Sequence, residues 1–168
     1  VLLNAIVSVA GHPLRSDAIS ALGRRKTRAA LQQLTALATS GSASERMSAH
    51  HALAEQDTEA AAIALTQALK LGHRNERVSI LYSLGRMDNS TAKNTLRTLL
   101  RDPNPEMAGY AASVAGSYHP EMLLDLDPAT VPQSLRRSVL DAHLELRGEA
   151  GVAAAAIFIR SADSRSAV

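Results

Sequence analysis

The chain contains 168 residues, of which 46% are hydrophobic and 2% aromatic, and its formal net charge is +2. It has no cysteine, which excludes disulfide scaffolds, thiolate zinc sites and cysteine nucleophiles, and its small positive charge does not by itself indicate a nucleic-acid partner. Alanine and leucine dominate, and these residues favour short, closely stacked helices.

The first apolar segment, residues 1–10, is predicted to be a packed helix that occupies residues 1–13 together with its turn. No basic segment precedes it, as one would in a secretory signal peptide. No apolar run approaches the roughly 18 residues that span a bilayer, so we expect no membrane span and a cytoplasmic location. A start at Val1 inside a helix fits a piece of a longer repeat array or assembly.

A self-similar unit of 31 residues follows this leading helix. Four of its positions recur in successive copies: Arg15, Ala18, Leu22 and Gly23; Arg46, Ala49, Leu53 and Ala54; Arg77, Ile80, Leu84 and Gly85. A fixed period in this range is typical of stacked helical repeats. We therefore predict an all-α fold, a solenoid of about five helix pairs that forms one domain over residues 1–168.

Each repeat is predicted to contain two helices. The repeats span 14–44, 45–75, 76–105 and 106–132, and a final helix pair spans 133–161 ahead of a tail over 162–168. The first helices are predicted over 15–23, 45–54, 76–86, 105–117 and 133–146, and the second helices over 27–39, 58–71, 90–101, 120–126 and 149–161. Ser44, Asp57 and Asn75 each lie shortly before a glutamate and are predicted to cap the helices that follow.

The second helices carry an apolar stripe in the same register. Its three columns are Ala30, Ala61 and Ala92; Leu34, Leu65 and Leu96; and Leu37, Ala68 and Leu99. Spacings of four and three residues put the three columns on one helical face, so we predict that they form the core.

The segment Asn75-Glu76-Arg77-Val78-Ser79-Ile80-Leu81-Tyr82-Ser83-Leu84-Gly85 resembles HEAT-like repeats of the phycobilisome-lyase type. So does Asp102-Pro103-Asn104-Pro105-Glu106-Met107-Ala108, which leads into Ala111, Ala112, Ala115 and Gly116. The resemblance covers residues 14–117 and implies a right-handed superhelix with the second helices on its concave side. It is specific for architecture and unspecific for function, because such repeats serve many unrelated roles.

The fourth repeat departs from this pattern in two places. Ala108 stands where the other repeats have arginine, and the segment 119–132 is interrupted by Pro128 and Pro132. We interpret this irregular segment as a bend, a cap or a binding loop.

The repeated Arg15, Arg46 and Arg77 allow two interpretations. They could form a row that binds anions, or each could link its repeat to turn carbonyls or acidic residues of the neighbouring repeat. Their place at the start of the first helices favours the link, which is also the role that the resemblance implies for this arginine.

The exposed positions of the second helices are the best candidates for a binding surface, and they become more basic along the chain. The candidate partner-binding residues are Gln67, Lys70, Lys93, Asn94, Arg97 and Arg101. On the geometry that the resemblance implies, they would line a concave groove and bind an acidic segment of another protein, because Arg suits carboxylates. A plain solvated helix face explains the same residues without any partner.

Two other classes of function stay open. Arg24, Arg25, Lys26 and Arg28 form the densest basic cluster, and nucleic acid bound in a basic groove is the first alternative. The second is a lyase-like or glycosylase-like HEAT-repeat enzyme.

We place no catalytic, metal-binding or cofactor-binding residue in this sequence. Adjacent His50 and His51 diverge by about 100° on a helix and do not suit a shared metal. No phosphate-binding glycine loop or nucleophile elbow occurs. We therefore predict a non-catalytic protein-interaction or assembly scaffold.

Overall fold

Helices are the regular secondary structure of the described part of the chain, and turns and loops connect them. The computed structural model describes residues 2–9, 12–72, 74–127, 130–149, 151–152 and 156. These residues form nine α-helices and one 3₁₀ helix and include no β-strand, which confirms the all-α prediction. The chain divides into two compact units, Val1–Thr95 and Leu96–Val168.

The helices follow one another with short connections. In the first unit they are α1 (Leu2–Ser8), α2 (Arg15–Gly23), α3 (Arg28–Ser40), α4 (Ala43–Gln56), α5 (Glu59–Leu71) and α6 (Arg74–Gly85). The helix α7 (Ser90–Leu99) contributes its first residues to this unit and its last residues to the second. The second unit continues with α8 (Pro105–Tyr118), the 3₁₀ helix Pro120–Leu123 and α9 (Gln133–Arg147). These α-helices match the predicted first and second helices within two residues at each end.

The second helix of the fourth repeat differs from the prediction. The structure has a single-turn 3₁₀ helix, Pro120–Leu123, in place of an α-helix over 120–126. Pro128 disfavours a helical conformation of Asp127, so too few residues remain between the two prolines for a stable α-helix. The predicted helix over 149–161 lies largely outside the described residues, and the tail 162–168 lies wholly outside them.

Side-chain caps begin the second helices at intervals of 31 residues. The Thr27 hydroxyl accepts from the Ala30 N–H, Thr58 accepts from Ala61, and the Asn89 amide oxygen accepts from Ala92. Such caps satisfy N–H groups that have no partner within the helix and contribute about 1 kcal/mol each. The 31-residue period of the sequence therefore also sets the positions at which the second helices begin.

The predicted caps are wrong by one or two residues. Ser42, not Ser44, caps α4, where it forms a capping box with Glu45. Asp57 follows α4 with a left-handed backbone (φ 42°), and Thr58 beside it caps α5 instead. The helix α6 begins at Arg74, so Asn75 lies inside it rather than ahead of it.

The first unit is built in two layers. The helices α2, α4 and α6 contact one another in order, and α3 contacts α5. Contacts of α3 with α4 and of α5 with α6 join the two layers. The first two predicted core columns are buried in this unit: Ala30, Ala61, Ala92, Leu34 and Leu65. The repeated apolar residues of the first helices are buried as well: Ala18, Leu22, Ala49, Leu53, Ile80 and Leu84.

The third predicted column of the stripe is only partly confirmed. Ala68 is buried, but Leu37 and Leu99 are half-buried. Ala38 is buried in place of Leu37, and Leu69 is buried together with Ala68. The core stripe is therefore broader than the predicted columns.

In the second unit α8 packs against α9, and both contact the 3₁₀ helix. Their shared core consists mainly of small and branched apolar residues: Ala111, Ala112, Ala115, Leu123, Leu135 and Val139. The two helices approach closely, since a Cβ added at Gly109 would lie 3.2 Å from the Cβ of Ser134. Within the described part of the chain, no helix is both long and apolar enough to cross a membrane.

Candidate functional site

Two of the repeated arginines link consecutive repeats. The Arg15 Nε lies 2.8 Å from Glu45 Oε1, as an ion pair whose N–H is not aligned for a hydrogen bond. The Arg46 Nε donates to Glu76 Oε1 at 3.1 Å, while its Nη1 donates to the Gly41 carbonyl at 2.7 Å. These four side chains are only 15–24% exposed. The linking interpretation is confirmed for both arginines.

The third repeated arginine breaks the series. Glu45 and Glu76 each lie 30 residues after their arginine, but the residue 30 positions after Arg77 is Met107. The Arg77 Nε is buried and has no hydrogen-bond partner among the described residues. The Arg–Glu pattern of the first two repeats therefore does not continue past Arg77.

Glu45 also belongs to the capping box of its own helix. The Ser42 backbone N–H donates to Glu45 Oε2 at 2.8 Å. Hydrogen bonds from the Ser42 backbone and hydroxyl, together with the charge of Arg15, lower the pKa of Glu45. The Glu45 carboxylate thus takes part both in the N-terminal cap of α4 and in the ion pair with Arg15 of the preceding repeat.

A second set of links joins the turns that precede α5 and α7. Asp57 Oδ1 accepts from the Asp88 backbone N–H and from the Asn89 amide, each at 3.0 Å. Glu59 accepts from the Ser90 hydroxyl at 2.8 Å, the Thr91 backbone N–H at 3.1 Å and the Thr91 hydroxyl. These bonds, with the Thr91 hydroxyl first, lower the pKa of Glu59.

Gln56 makes the equivalent link toward the preceding repeat. It is buried, and its Nε2 donates to the Leu22 carbonyl at 3.3 Å and the Arg25 carbonyl at 2.9 Å. Sequence reasoning missed Gln56 and the roles of Asp57 and Glu59. Their signal was present in the spacing of about one repeat between the bonded residues.

The outer face of the second helices repeats position by position. The exposed residues of α3 are Arg28, Ala29, Gln32, Ala36, Thr39 and Ser40, and those of α5 are Glu59, Ala60, Ile63, Gln67, Lys70 and Leu71. Every member of the second set lies 31 residues after its counterpart in the first. On α5 this face includes two large apolar side chains, Ile63 at 50% exposure and Leu71 at 74%.

The structure places the predicted partner-binding residues in different environments. Gln67 and Lys70 are exposed on the outer face of α5. Asn94 is exposed on α7, whereas Lys93 is half-buried and forms an ion pair with Asp88, which compensates its charge.

The two remaining candidates belong to the second unit. Arg97 and Arg101 are both exposed. The Arg101 Nη1 donates to the Arg97 carbonyl at 3.4 Å, so the Arg101 side chain folds back over the end of α7. Five of the six predicted residues, Gln67, Lys70, Asn94, Arg97 and Arg101, are therefore exposed polar groups, and Lys93 is not.

The described residues line an open cleft in each unit. In the first unit a cleft of about 140 Å³ is lined by Ala38, Thr39, Arg46, Ala68, Leu71, Gly72 and Glu76, so that the Arg46–Glu76 ion pair forms part of its wall. In the second unit a larger cleft of about 420 Å³ between α8 and α9 is lined by Ser113, Gly116, Ser117, Arg137, Ser138, Asp141, Ala142 and Glu145. No three His, Asp or Glu side chains in the described ranges are grouped to hold a metal ion.

Comparison of the sequence with protein-family models and with curated proteins finds no match. The resemblance to HEAT-like repeats thus stays an inference from the residues of this chain.

Proposed function

We propose that the chain is a HEAT-like helical-repeat module that binds another protein through the outer face of its second helices. The observation that carries this proposal is the exposed face of α3, which recurs on α5 at six positions. A repeated, preformed surface binds without first ordering itself, which reduces the entropic cost of association. A right-handed superhelix would make this face concave.

The side chains on this face favour a partner segment that is both apolar and acidic. Ile63 and Leu71 offer apolar area beside Lys70, and Glu59, the only carboxylate of α3 and α5, is held by Ser90 and Thr91. Half-exposed aliphatic groups next to a cation suit an acidic amphipathic segment. In the second unit, Arg97 and Arg101 are exposed cations as well.

Site-specific photocrosslinking in the native extract tests this proposal. A photoreactive residue at Gln67 should crosslink a discrete protein, whereas one at Met47, which is 49% exposed on α4, should not. Replacement of Lys70 by Glu should reduce this crosslink without changing helicity. In the second unit, replacement of Arg97 and Arg101 by Glu should reduce the binding of an acidic partner, measured by a pull-down from the same extract.

Three outcomes would contradict the proposal. Equal crosslinking from Gln67 and Met47 would show that the contact is not confined to this face. Crosslinks to nucleic acid that disappear steeply with salt would support the nucleic-acid alternative. A small-molecule adduct in place of a protein would favour an enzyme.

A further inference from the structure

The turn between α2 and α3 carries a concentrated positive charge. Of residues 24–28, which comprise this turn and the first residue of α3, four are cationic (Arg24, Arg25, Lys26 and Arg28), and all five are exposed. Within the described part of the chain, none of these four side chains forms an ion pair or a hydrogen bond. We propose that this basic turn, Arg24–Arg28, is a second docking surface that binds a short acidic peptide segment of a partner protein.

Helix stability does not account for these cations. The first turns of α4, α5, α6 and α8 each contain a glutamate, as the positive end of a helix dipole favours. The helix α3, like α7 and α9, has no acidic residue there, and it begins with Arg28, whose counterparts in the next repeats are Glu59 and Ser90. The repeat therefore does not require a cation at this position, and a cation at the start of a helix is opposed by the helix dipole.

The neighbouring turn does not neutralise the basic turn. The two turns are adjacent, since Gln56 donates to the Arg25 carbonyl. Of the three carboxylates in residues 55–59, those of Asp57 and Glu59 bind the following repeat. Glu55 alone faces back, because its Oε2 lies 2.9 Å from the position of a Cβ added at Gly23. Between these two turns, one carboxylate faces four cations, which is an excess of three positive charges.

The adjacent acidic turn also limits the size of the partner. A nucleic-acid backbone or an anionic membrane laid across Arg24–Arg28 would extend over the carboxylates of residues 55–59, and like charges repel. Residues 20–60 contain no Phe, Tyr or Trp on which bases could stack. A short run of Asp or Glu contacts the cations alone, and arginine pairs with carboxylates in a bidentate geometry.

Fluorescence anisotropy with a labelled oligoglutamate peptide tests the basic turn. The double variant Arg24→Gln/Lys26→Gln should bind the peptide about tenfold more weakly than wild type at low ionic strength. The control Arg86→Gln/Arg137→Gln removes two exposed cations elsewhere and should leave the affinity unchanged. Both variants should keep the wild-type helicity and melting temperature.

Two results would overturn this inference. Equal peptide affinity of the two double variants would show that binding depends on the net charge of the protein and not on the basic turn. Tighter binding of a DNA duplex of equal charge, lost in the same variant, would assign the turn to nucleic acid. Neither result affects the second-helix face, which the Lys70 and Arg97/Arg101 variants test separately.

Discussion

His50 occupies a core position that is aliphatic in the neighbouring repeats. The residues 31 positions before and after it are Ile19 and Leu81, and all three are at most 1% exposed. Neither ring nitrogen of His50 has an aligned hydrogen-bond partner. An apolar core position is therefore filled by a titratable side chain.

The surroundings of His50 favour the neutral imidazole. Burial is the main reason that its pKa is lowered, and the charges of Arg46 and His51 act in the same direction. The backbone carbonyl of Ala38 and the carboxylate of Glu76 act in the opposite direction but do not outweigh burial.

The lowered pKa of His50 predicts that the first unit is less stable at acidic pH. Because the folded-state pKa lies below the unfolded value of about 6.5, the unfolded chain binds the proton more readily. The stability contribution of neutral His50 is present above that value and is lost as the pH falls toward the folded-state pKa, by at most about 1.4 kcal/mol per pH unit. Urea unfolding from pH 7.5 to pH 5 measures this loss.

The variant His50→Leu, which restores the aliphatic residue of the repeat, should reduce this pH dependence and stabilise the protein at neutral pH by about 1 kcal/mol. Replacement of the exposed His51 by Gln is the matched control and should retain the dependence. An unchanged pH profile in His50→Leu would contradict this account.

At the scale of the elements, the links between repeats combine local and long-range bonds. Arg46 holds both the turn carbonyl of Gly41, five residues away, and Glu76, thirty residues away. Its partners are largely screened from solvent, so their loss is more costly than that of a surface ion pair.

We expect Arg46→Met to lower the free energy of unfolding by about 2 kcal/mol, since it leaves Glu76 and the Gly41 carbonyl without this partner. The control Arg137→Met removes an arginine that is 95% exposed and pairs with Asp141 on the same helix, at a cost within about 0.5 kcal/mol. Chemical denaturation of both variants measures the difference. Similar losses in the two would show that the repeat link contributes no more than a surface pair.

Much of the element pattern could be predicted from the sequence because helical period and turn residues are local. The prediction of a second helix over 120–126 was wrong. Pro120 and Pro128 leave too few residues between them for a stable α-helix. The caps were misplaced by one or two residues because Ser42 and Ser44, or Asp57 and Thr58, are equivalent candidates until the backbone decides between them.

The candidate face was predicted less completely. The exposure of Gln67, Lys70, Arg97 and Arg101 followed from helical register. The ion pair of Lys93 with Asp88 could not be read from that register, because it depends on how the turn before α7 folds back on the helix.

At the scale of the whole molecule, the first unit depends on contacts between repeats. A single helix pair, residues 12–41, lacks Gln56 and Glu45, which hold its turn and its arginine. One pair cannot bury both faces of its helices, whereas stacked pairs can.

We therefore expect the fragment of residues 12–41 to be largely unfolded by circular dichroism, and the first unit, residues 1–95, to be helical and to melt cooperatively. A helical, cooperative 12–41 fragment would show that the repeats fold without their neighbours. A non-cooperative first unit would contradict its description as one compact unit.

The sequence by itself determined the helices, their 31-residue period and the apolar columns, because each of these depends on side chains close together along the chain. Only the tertiary structure decided which polar side chains join one repeat to the next and which stay exposed. Gln56 and Asp57 are ordinary turn residues in the sequence, and they become links because stacking brings a carbonyl or an N–H from another repeat within 3 Å. The tertiary structure likewise decides that His50, one of six histidines in the sequence, lies in the core.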